Sequence, residues 1–500
     1  MKQYNDIVVG SGVSGMTLAL LLAMNGRKVL LLEKAPQIGG SLRRFYKQGI
    51  PFDTGFHFTG GFSQDGVLAD MLEVVGIRDF LKPVFLSKPG ANRFIFEREG
   101  AVYDLPSGIE NSCAALRAYF PRESAAIDAY FALMQKVCYQ TMTLDLRKIA
   151  FTPEVVDEDY VSLDAVLDSL TADARLRALL SAYCMCHGTQ PKEISFANHA
   201  RVGSGLFESV ARIEQGGDAF IRAFRGLFVR HDIDIRCKAY IAECARVQDD
   251  YVGEFVLNTG EVIQADDCIF TIHPHGILKI LPQRYLSKAF VDRVSAYESS
   301  IGFFSVFGEV KQADVDDFGP SLVSLFPAED INVLLDPDYG GMPALAVIRS
   351  VEEGLDNQRH CVINAFEPSF YSQVRQWADS TVGKRPQAYA KYKARKAAEI
   401  TRRIEGLYPQ YRGTFTAFDA ASVLTFRDYL NSPDGSAYGI KQKISQFNLF
   451  GKLPLRNLYA AGQSSVLPGL VGAMVSSFVV ARGIVGKELY NEFITGHLCS

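Results

Sequence analysis

The sequence predicts an α/β fold with two domains, and two observations carry that prediction. In the amino-terminal stretch, apolar spacing indicates a strand over residues 4–9, a helix from about 13 to 25 that Gly26 ends, and a second strand over 28–32. The chain also has 500 residues, 48% of them hydrophobic and 22% charged, which is more than one domain and its core require. A strand, a helix and a second strand form a βαβ unit, which is typical of a Rossmann-type sheet.

The glycines between the first strand and the helix have the spacing of a dinucleotide-binding turn. Gly10 permits the tight turn, Gly12 lets the backbone approach a pyrophosphate, and Gly15 allows the helix to pack on the strand. The free N–H groups at the helix start favour an anion there. Glu33 ends the second strand, where a carboxylate accepts hydrogen bonds from a ribose diol, which argues against a 2′-phosphate. The sequence therefore predicts a dinucleotide ligand, and this motif leaves both FAD and NAD open.

A second glycine loop follows directly after this unit. Gly39 and Gly40 predict a backbone segment that lies close to the phosphates. Arg43 and Arg44 come next, and two interpretations stay open for them: partners of the phosphate charge, or a solvated pair at the surface.

The far end of the chain carries a third signal. Residues 457–486 predict a short strand, a turn at Gly462 and an amphipathic helix from about Gly472. The start of that helix is a second positive dipole end, suited to an anionic or polarised group.

Composition excludes several classes of protein. A net charge of −4 with acidic and basic residues interspersed gives no reason to expect nucleic acid binding. Nine cysteines without a regular framework fit a reducing cytoplasm. The longest apolar runs, 16–24 and 470–481, are shorter than the roughly 20 residues of a spanning helix. We therefore expect a cytoplasmic protein that does not cross a membrane, with peripheral membrane contact left open.

Several further segments, added to the glycine motifs and to AAGQ, resemble one flavoprotein family. They are FDTGFHFTGG (52–61), PKEISFANHA (191–200), EQGGDAF (214–220), ADDCIFTIHP (265–274) and NSPDGSAYG (431–439). Together they are similar to the FAD-dependent carotenoid and retinoid oxidoreductases: the retinol saturases, carotenoid isomerases and phytoene desaturases. Phytoene desaturases usually continue the first stretch with Gly-Pro, whereas this chain has Gly55-Phe56-His57. The resemblance therefore favours a saturase or a cis–trans isomerase over a desaturase.

The resemblance implies a discontinuous, glutathione reductase-like FAD-binding domain and a second, α+β substrate domain. The strand and glycine signals assign residues 1–90, 200–290 and 415–500 to the first domain, and 91–199 and 291–414 to the second. The resemblance also implies a set of FAD-binding residues. They are Gly10, Ser11, Gly12, Val13, Ser14, Gly15, Glu33, Lys34, Gly39, Gly40, Ser41, Gly55, Phe58, Thr59, Tyr240, Gly462, Leu470, Val471 and Gly472.

His57 is the candidate catalytic residue. In this family the loop that contains it passes along the flavin, where an imidazole of ordinary pKa, near 6.5, could exchange a proton at neutral pH. The other interpretation is that His57 only shapes the loop. The expected activity is saturation or isomerisation of double bonds in a lipophilic polyene, and desaturation is the alternative. NAD(P)H is one candidate electron donor, and the redox partner is unknown.

Two alternatives from other classes stay open. One is an amine oxidase-like flavoprotein, and the other is a non-enzymatic lipid-binding escort protein of the same fold.

The histidine and cysteine clusters predict no metal site. Cys184, Cys186 and His187 are close in sequence but lack a second pair at a metal-binding interval, so a turn is expected there. His273 and His275 are expected in a loop or a helix cap, and His199 fits a hydrogen-bonded structural residue as well as a functional one.

The segment 387–408 predicts a long polar helix. Its basic residues are expected on a solvated face, and contact with anionic lipid headgroups is the alternative. They are Lys391, Lys393, Arg395, Lys396, Arg402 and Arg403.

Overall fold

A computed structural model describes residues 2–63, 66–86, 92–149 and 155–498. Its strands are β1 Lys2–Val9, β2 Val29–Glu33, β3 Arg44–Lys47, β4 Ile50–Asp53, β5 Pro83–Phe85, β6 Asn92–Phe96, β7 Ala101–Asp104, β8 Ala211–Ile213, β9 Asp234–Cys237, β10 Ile241–Gln248, β11 Tyr251–Leu257, β12 Val262–Phe270, β13 Gly302–Val310, β14 Ser321–Phe326, β15 Leu345–Glu353, β16 Arg359–Ser369, β17 Phe415–Ala421, β18 Gly451–Lys452 and β19 Leu458–Ala460.

Five α-helices follow one another between β7 and β8, and the other helices lie between or after the remaining strands. The helices are α1 Val13–Met24, α2 Val67–Val74, α3 Ile109–Tyr119, α4 Ser124–Gln140, α5 Leu163–Leu170, α6 Ala174–Leu180, α7 Phe196–Glu208, α8 Gly216–Arg230, α9 Pro274–Ile280, α10 Lys288–Ser295, α11 Val315–Phe318, α12 Ile331–Leu334, α13 Gln387–Leu407, α14 Val423–Leu430, α15 Gly469–Val485 and α16 Lys487–Leu498.

The first sheet is built on the predicted βαβ unit. Strand β1 lies between β2 and β12, and both pairs are parallel. Strands β9 and β19 extend the parallel part on either side, and the hairpin β10–β11 joins it at β12. Ile7 and Val8 are fully buried because helices or loops cover both faces of the sheet. The predicted α/β, Rossmann-type fold is confirmed.

The second sheet has seven strands in the order β17-β13-β16-β15-β14-β6-β7, and only β14 and β6 run parallel. Its side chains alternate between two faces. On one face Phe304 and Val306 pack with Ile400 of α13. On the other face Phe303 and Ser305 border a cavity. The sequence assigns residues 415–500 to the first domain. Strand β17, which begins that segment, instead pairs with β13 in the second sheet.

Helix α15 differs from its sequence prediction. It begins at Gly469 rather than near Gly472, and residues from Gly472 to Ala481 are all buried, so it is not amphipathic. The cause is that α15 packs against α1, where Ser14 and Ser477 hydroxyls lie 2.8 Å apart, inside the core of the first domain. Within the described residues, none of the helices has both the length and the apolar content to span a bilayer.

Helix α13 matches its prediction closely, but some of its basic residues are not free at the surface. Lys396 forms an ion pair with buried Glu367, and Arg403 lies 2.6 Å from the Glu97 carboxylate. These pairs attach the helix to the second sheet and leave fewer charges for an anionic partner.

Candidate active site

One cavity of about 1530 Å³ lies between the first sheet, the second sheet and α7. Every residue predicted to bind the cofactor borders it except Gly15 and Gly39, and His57 borders it as well. The three glycine segments, which are far apart in the sequence, therefore face one space. That volume exceeds the roughly 300–1,000 Å³ of an ordinary ligand pocket.

The turn after β1 has the shape that a dinucleotide requires. Gly10 has a positive φ of 97°, and a Cβ on Gly15 would overlap the Gly10 carbonyl oxygen, so helix and turn pack too closely for a side chain. A Cβ on Gly12, in contrast, would meet no protein atom within 4 Å. Gly12 is also the N-cap of α1, and no side chain caps that helix start. The helix start therefore presents free N–H groups to the cavity.

Glu33 holds this turn in place. Its carboxylate accepts hydrogen bonds from the backbone N–H of Ser11 at 3.0 Å, from the Ser11 hydroxyl, and from the N–H of Ala35 at 2.7 Å. The carboxylate also borders the cavity. Glu33 thus connects the phosphate-binding turn to the place where a ribose would lie.

The Gly39 loop lies behind the turn rather than on the cavity surface. Its N–H donates to the Ser11 carbonyl at 3.0 Å, and Gly40 borders the cavity beside Gly12. Arg43 borders the cavity and donates to the Tyr429 carbonyl at 3.0 Å.

Arg44 fits neither sequence interpretation, because it is buried in an ion network. Its guanidinium lies 3.1 Å from Asp53 and 2.5 Å from Glu352. Arg212 completes the group, at 2.8 Å from Asp53 and 3.0 Å from Glu352. All four side chains are at most 7% exposed. Two positive and two negative charges give a neutral cluster, as burial requires.

His57 lies directly above this network. The Arg212 guanidinium donates to the His57 carbonyl at 2.7 Å, and the imidazole Nδ1 lies 3.9 Å from the Asp53 carboxylate. The ring stacks on Phe366 with centroids 4.9 Å apart, and 12% of the side chain is exposed. The loop around His57 is therefore fixed by charge on one side and by ring stacking on the other.

The protonation state of His57 differs from the sequence expectation. Burial lowers the pKa of His57 to about 4 and outweighs the nearby Asp53 carboxylate, which raises it. Burial would raise the pKa of Asp53, but attraction to Arg212 and Arg44 holds it below its ordinary value. At neutral pH the imidazole is uncharged, so His57 does not titrate near 6.5.

Aromatic side chains gather in one part of the cavity, although polar residues line the same walls. Its walls come from the cavity face of the second sheet, from α7 and from the 3-10 helix Ala182–Cys186. The aromatic residues are Phe58, Phe94, Tyr183, Phe303, Phe326, Phe366 and Tyr438. Sequence composition alone could not separate these rings from ordinary core residues.

The histidine and cysteine clusters are largely structural. His273 is the N-cap of α9 and accepts from the His275 N–H at 3.2 Å, so the predicted capping role is confirmed. The segment expected to be a turn contains the 3-10 helix, and it brings Cys184 and His187 to His199. The His187 Nε2 and the Cys184 Sγ lie 3.2 and 3.6 Å from the His199 Nδ1.

Hydrogen bonds account for that buried cluster. The His199 Nε2 lies 3.1 Å from the Leu180 carbonyl, which fixes the proton on Nε2 and leaves Nδ1 as an acceptor. The Thr189 N–H points to the His187 Nδ1 at 3.4 Å, so the His187 Nε2 carries the proton shared with His199. Burial lowers the pKa of both histidines, and both are neutral.

Comparison with known proteins shows which proteins this chain is similar to. Residues 8–74 match the NAD(P)-binding Rossmann-like domain. All-trans-retinol 13,14-reductase from Danio rerio is 25% identical over 98% of this chain and 87% of its own length. Prolycopene isomerase from Daucus carota is 23% identical over 98% of this chain and 81% of its own length. The chain is a relative of the carotenoid and retinoid oxidoreductases. The predicted family and enzyme class are confirmed, and a dinucleotide cofactor is supported.

A solved oxidase structure shares the fold of this chain. Cyclohexylamine oxidase from Brevibacterium oxydans superposes with a TM-score of 0.62 over 98% of this chain and 99% of its own, at 15% identity. At that identity the likeness concerns the fold alone.

Proposed function

We propose that this protein is an FAD-dependent oxidoreductase that acts on carbon–carbon double bonds of a lipophilic polyene, as a saturase or a cis–trans isomerase. The observation that carries the proposal is the single cavity. It is lined by the glycine segments of the dinucleotide cradle and by aromatic side chains, so a flavin ring and a hydrocarbon chain could meet inside one cavity. The similarity to a retinol reductase and a prolycopene isomerase supports the same class of substrate.

The residues of the cradle fit FAD. The turn from Gly10 to Ser14 would hold the pyrophosphate, and Glu33 would hold the ribose. The segments Gly55–Thr59 and Leu470–Gly472 border the cavity where the isoalloxazine would lie. When bound, FAD supplies two-electron transfer, which protein side chains cannot provide.

The protein would contribute a neutral setting beside His57 for that chemistry. The ion network beneath His57 has no net charge, and the imidazole is neutral. An apolar polyene would therefore meet no uncompensated charge beside His57.

A pair of glycine variants tests the cofactor. Gly12→Ala should fold normally, since its Cβ meets no protein atom and the backbone φ is −63°, but the methyl group would occupy the cradle. Gly226→Ala is the matched control, because its Cβ also meets no protein atom but lies on exposed α8. We expect FAD absorbance in the purified wild type and in Gly226→Ala, with reduced FAD content in Gly12→Ala. Equal FAD content in all three proteins would remove the assigned cradle.

The reaction is tested on the reconstituted wild type. Anaerobic incubation of the photoreduced protein with retinoids, carotenoids and, in parallel, primary amines should change the polyenes alone. Mass and absorption spectra separate a saturated product from a geometric isomer. Oxidation of an amine by the oxidised protein, with no change in any polyene, would favour an amine oxidase instead.

A further inference from the structure

Tyr438 lines the cavity, and its backbone is held from two sides. It belongs to the segment NSPDGSAYG, and its neighbour Gly439 packs so closely on Ser464 that a Cβ there would collide with the Ser464 hydroxyl. The Tyr438 N–H donates to the Ser300 hydroxyl at 2.9 Å, which holds the backbone from the other side. Gly462, Ser464 and Tyr438 all border the cavity, so the backbone at Tyr438 is held beside the segment that follows the Gly462 turn.

A row of rings along the cavity wall connects Tyr438 to His57. The ring of His57 stacks on Phe366, and Phe366 meets Phe303 edge-on with centroids 5.2 Å apart. Phe303 then meets the ring of Tyr438 edge-on at 6.2 Å. Each of these four residues borders the cavity. The row therefore ends at a phenol on the side away from the His57 loop.

The hydroxyl of Tyr438 is free for a ligand. Among the described residues it forms no hydrogen bond, although burial raises its pKa well above the ordinary value and so keeps it protonated. Tyr183, another cavity-lining tyrosine, is different. Its hydroxyl accepts from the Asn92 amide at 3.1 Å, which commits it to the second sheet. A neutral phenol that has no protein partner is a proton donor without a local acceptor.

Saturation of a double bond requires such a donor. One alkene carbon receives a hydride from a donor of the dihydroflavin class, and its neighbour must receive a proton. His57 is uncharged at neutral pH and has little acidic form to supply that proton. Resting on the proposed function, we infer that the Tyr438 hydroxyl protonates the polyene. The O–H bond breaks as the new C–H bond forms, and the phenolate then recovers a proton from water that enters the cavity.

Tyr438→Phe is the test, because it keeps the ring against Phe303 and removes only the hydroxyl. We expect unchanged FAD content and unchanged polyene affinity, measured by the absorption shift of the bound polyene in the flavin-free protein. The rate of saturation should fall by about 10²–10⁴-fold, the usual contribution of a general acid. Tyr490→Phe is the matched control, because it also removes a buried phenol hydroxyl but lies outside the cavity lining, and it should saturate at a rate near that of the wild type.

Solvent deuterium supplies a second readout. In D₂O the wild type should place one deuterium on one face of the protonated carbon, as NMR of the product reports. Residual product from Tyr438→Phe should carry deuterium on both faces, because unguided water replaces the phenol. Loss of polyene binding in this variant, or a rate equal to that of the wild type, would overturn the assignment. A His57→Gln variant that loses facial selectivity while Tyr438→Phe keeps it would also overturn it.

Failure of the inference and failure of the proposed function give different results. If the wild type saturates a polyene and Tyr438→Phe does so equally well, only the role of Tyr438 falls. If the wild type merely isomerises the polyene, the saturation step and the donor fall while the polyene activity stands. If the wild type changes no polyene at all, the proposed function falls and the donor falls with it.

Discussion

Mild acid should destabilise this protein through histidines that the fold buries in the neutral form. Burial lowers the pKa of His57 and His199 to about 4 and that of His273 to about 3. Burial and the neighbouring His199 lower the pKa of His187 in the same direction. In the unfolded chain each of these groups would bind a proton near pH 6.5. The folded protein must therefore resist protonation over more than two pH units.

The sign follows from proton linkage. Between pH 6.5 and pH 4 the unfolded chain holds more protons than the folded protein, so the free energy of unfolding falls as the pH falls. Above pH 6.5 both states are neutral at these positions, and their contribution to stability is fully present. For a pKa that moves from 6.5 to about 4, going from pH 7 to pH 5 removes about 1.8 kcal/mol.

The sum is large compared with typical stability. His57, His199 and His273 together account for about 5–6 kcal/mol over that interval. Asp6 acts in the opposite direction, since burial raises its pKa to about 6 and the folded state takes up that proton first, which returns about 1.3 kcal/mol. For these four groups a net loss of about 4 kcal/mol at pH 5 remains, compared with the roughly 5–15 kcal/mol of an ordinary domain.

Urea unfolding of the flavin-free protein, followed by circular dichroism at pH 7, 6, 5.5 and 5, measures this loss. His57→Gln should reduce the slope of the unfolding free energy against pH by about 1.4 kcal/mol per pH unit, equal to one proton. His231→Gln is the control, because His231 is partly exposed at the end of α8 and should leave most of the slope intact. An unfolding free energy that is constant within about 1 kcal/mol from pH 7 to pH 5 would refute the reasoning.

Two further substitutions probe the packing around the site. Arg212→Met removes one of the two arginines that pair with Asp53 and leaves Arg44, and it should lower the unfolding free energy by about 3–5 kcal/mol. Lys47→Met is the control, because it breaks an exposed ion pair and should cost at most about 1 kcal/mol. Equal losses in urea unfolding would contradict a buried network. Gly15→Ala forces a methyl group into the turn carbonyl behind the cradle and should lower stability by about 1–3 kcal/mol, which thermal unfolding of the flavin-free protein would register and an unchanged midpoint would exclude.

The segments predicted to bind the cofactor could be picked out from the sequence because their signals are local. A strand, three glycines, a helix and an acid follow one another within 33 residues, and each has one mechanical reason for its position. The structure places Gly12 and Glu33 on one cavity wall as that reasoning expects. Even the distant turn at Gly462 could be found, since a strand followed by a glycine and a helix is again a local pattern.

The aromatic part of the cavity could not be predicted in the same way. Phe303 and Phe304 are adjacent and chemically identical, yet one borders the cavity and the other packs under α13, because a strand alternates its two faces. Which face meets the cavity depends on the pairing of seven strands. Tyr438 also could not be predicted from local sequence. Its segment resembles the family, but the position of its ring depends on contacts with Ser300 and Phe303, which are distant in the sequence.

The pKa of His57 was the main error of sequence reasoning, and its cause connects fold to chemistry. An ordinary imidazole has a pKa near 6.5, but Arg212 and Arg44 already neutralise Asp53, the carboxylate that would have stabilised a charged imidazole. With that carboxylate engaged, burial decides the protonation state. The same network therefore fixes the loop through the His57 carbonyl and keeps the His57 ring neutral. A neutral ring suits a wall against a hydrocarbon. The proposed proton donor, Tyr438, lies at the other end of the aromatic row.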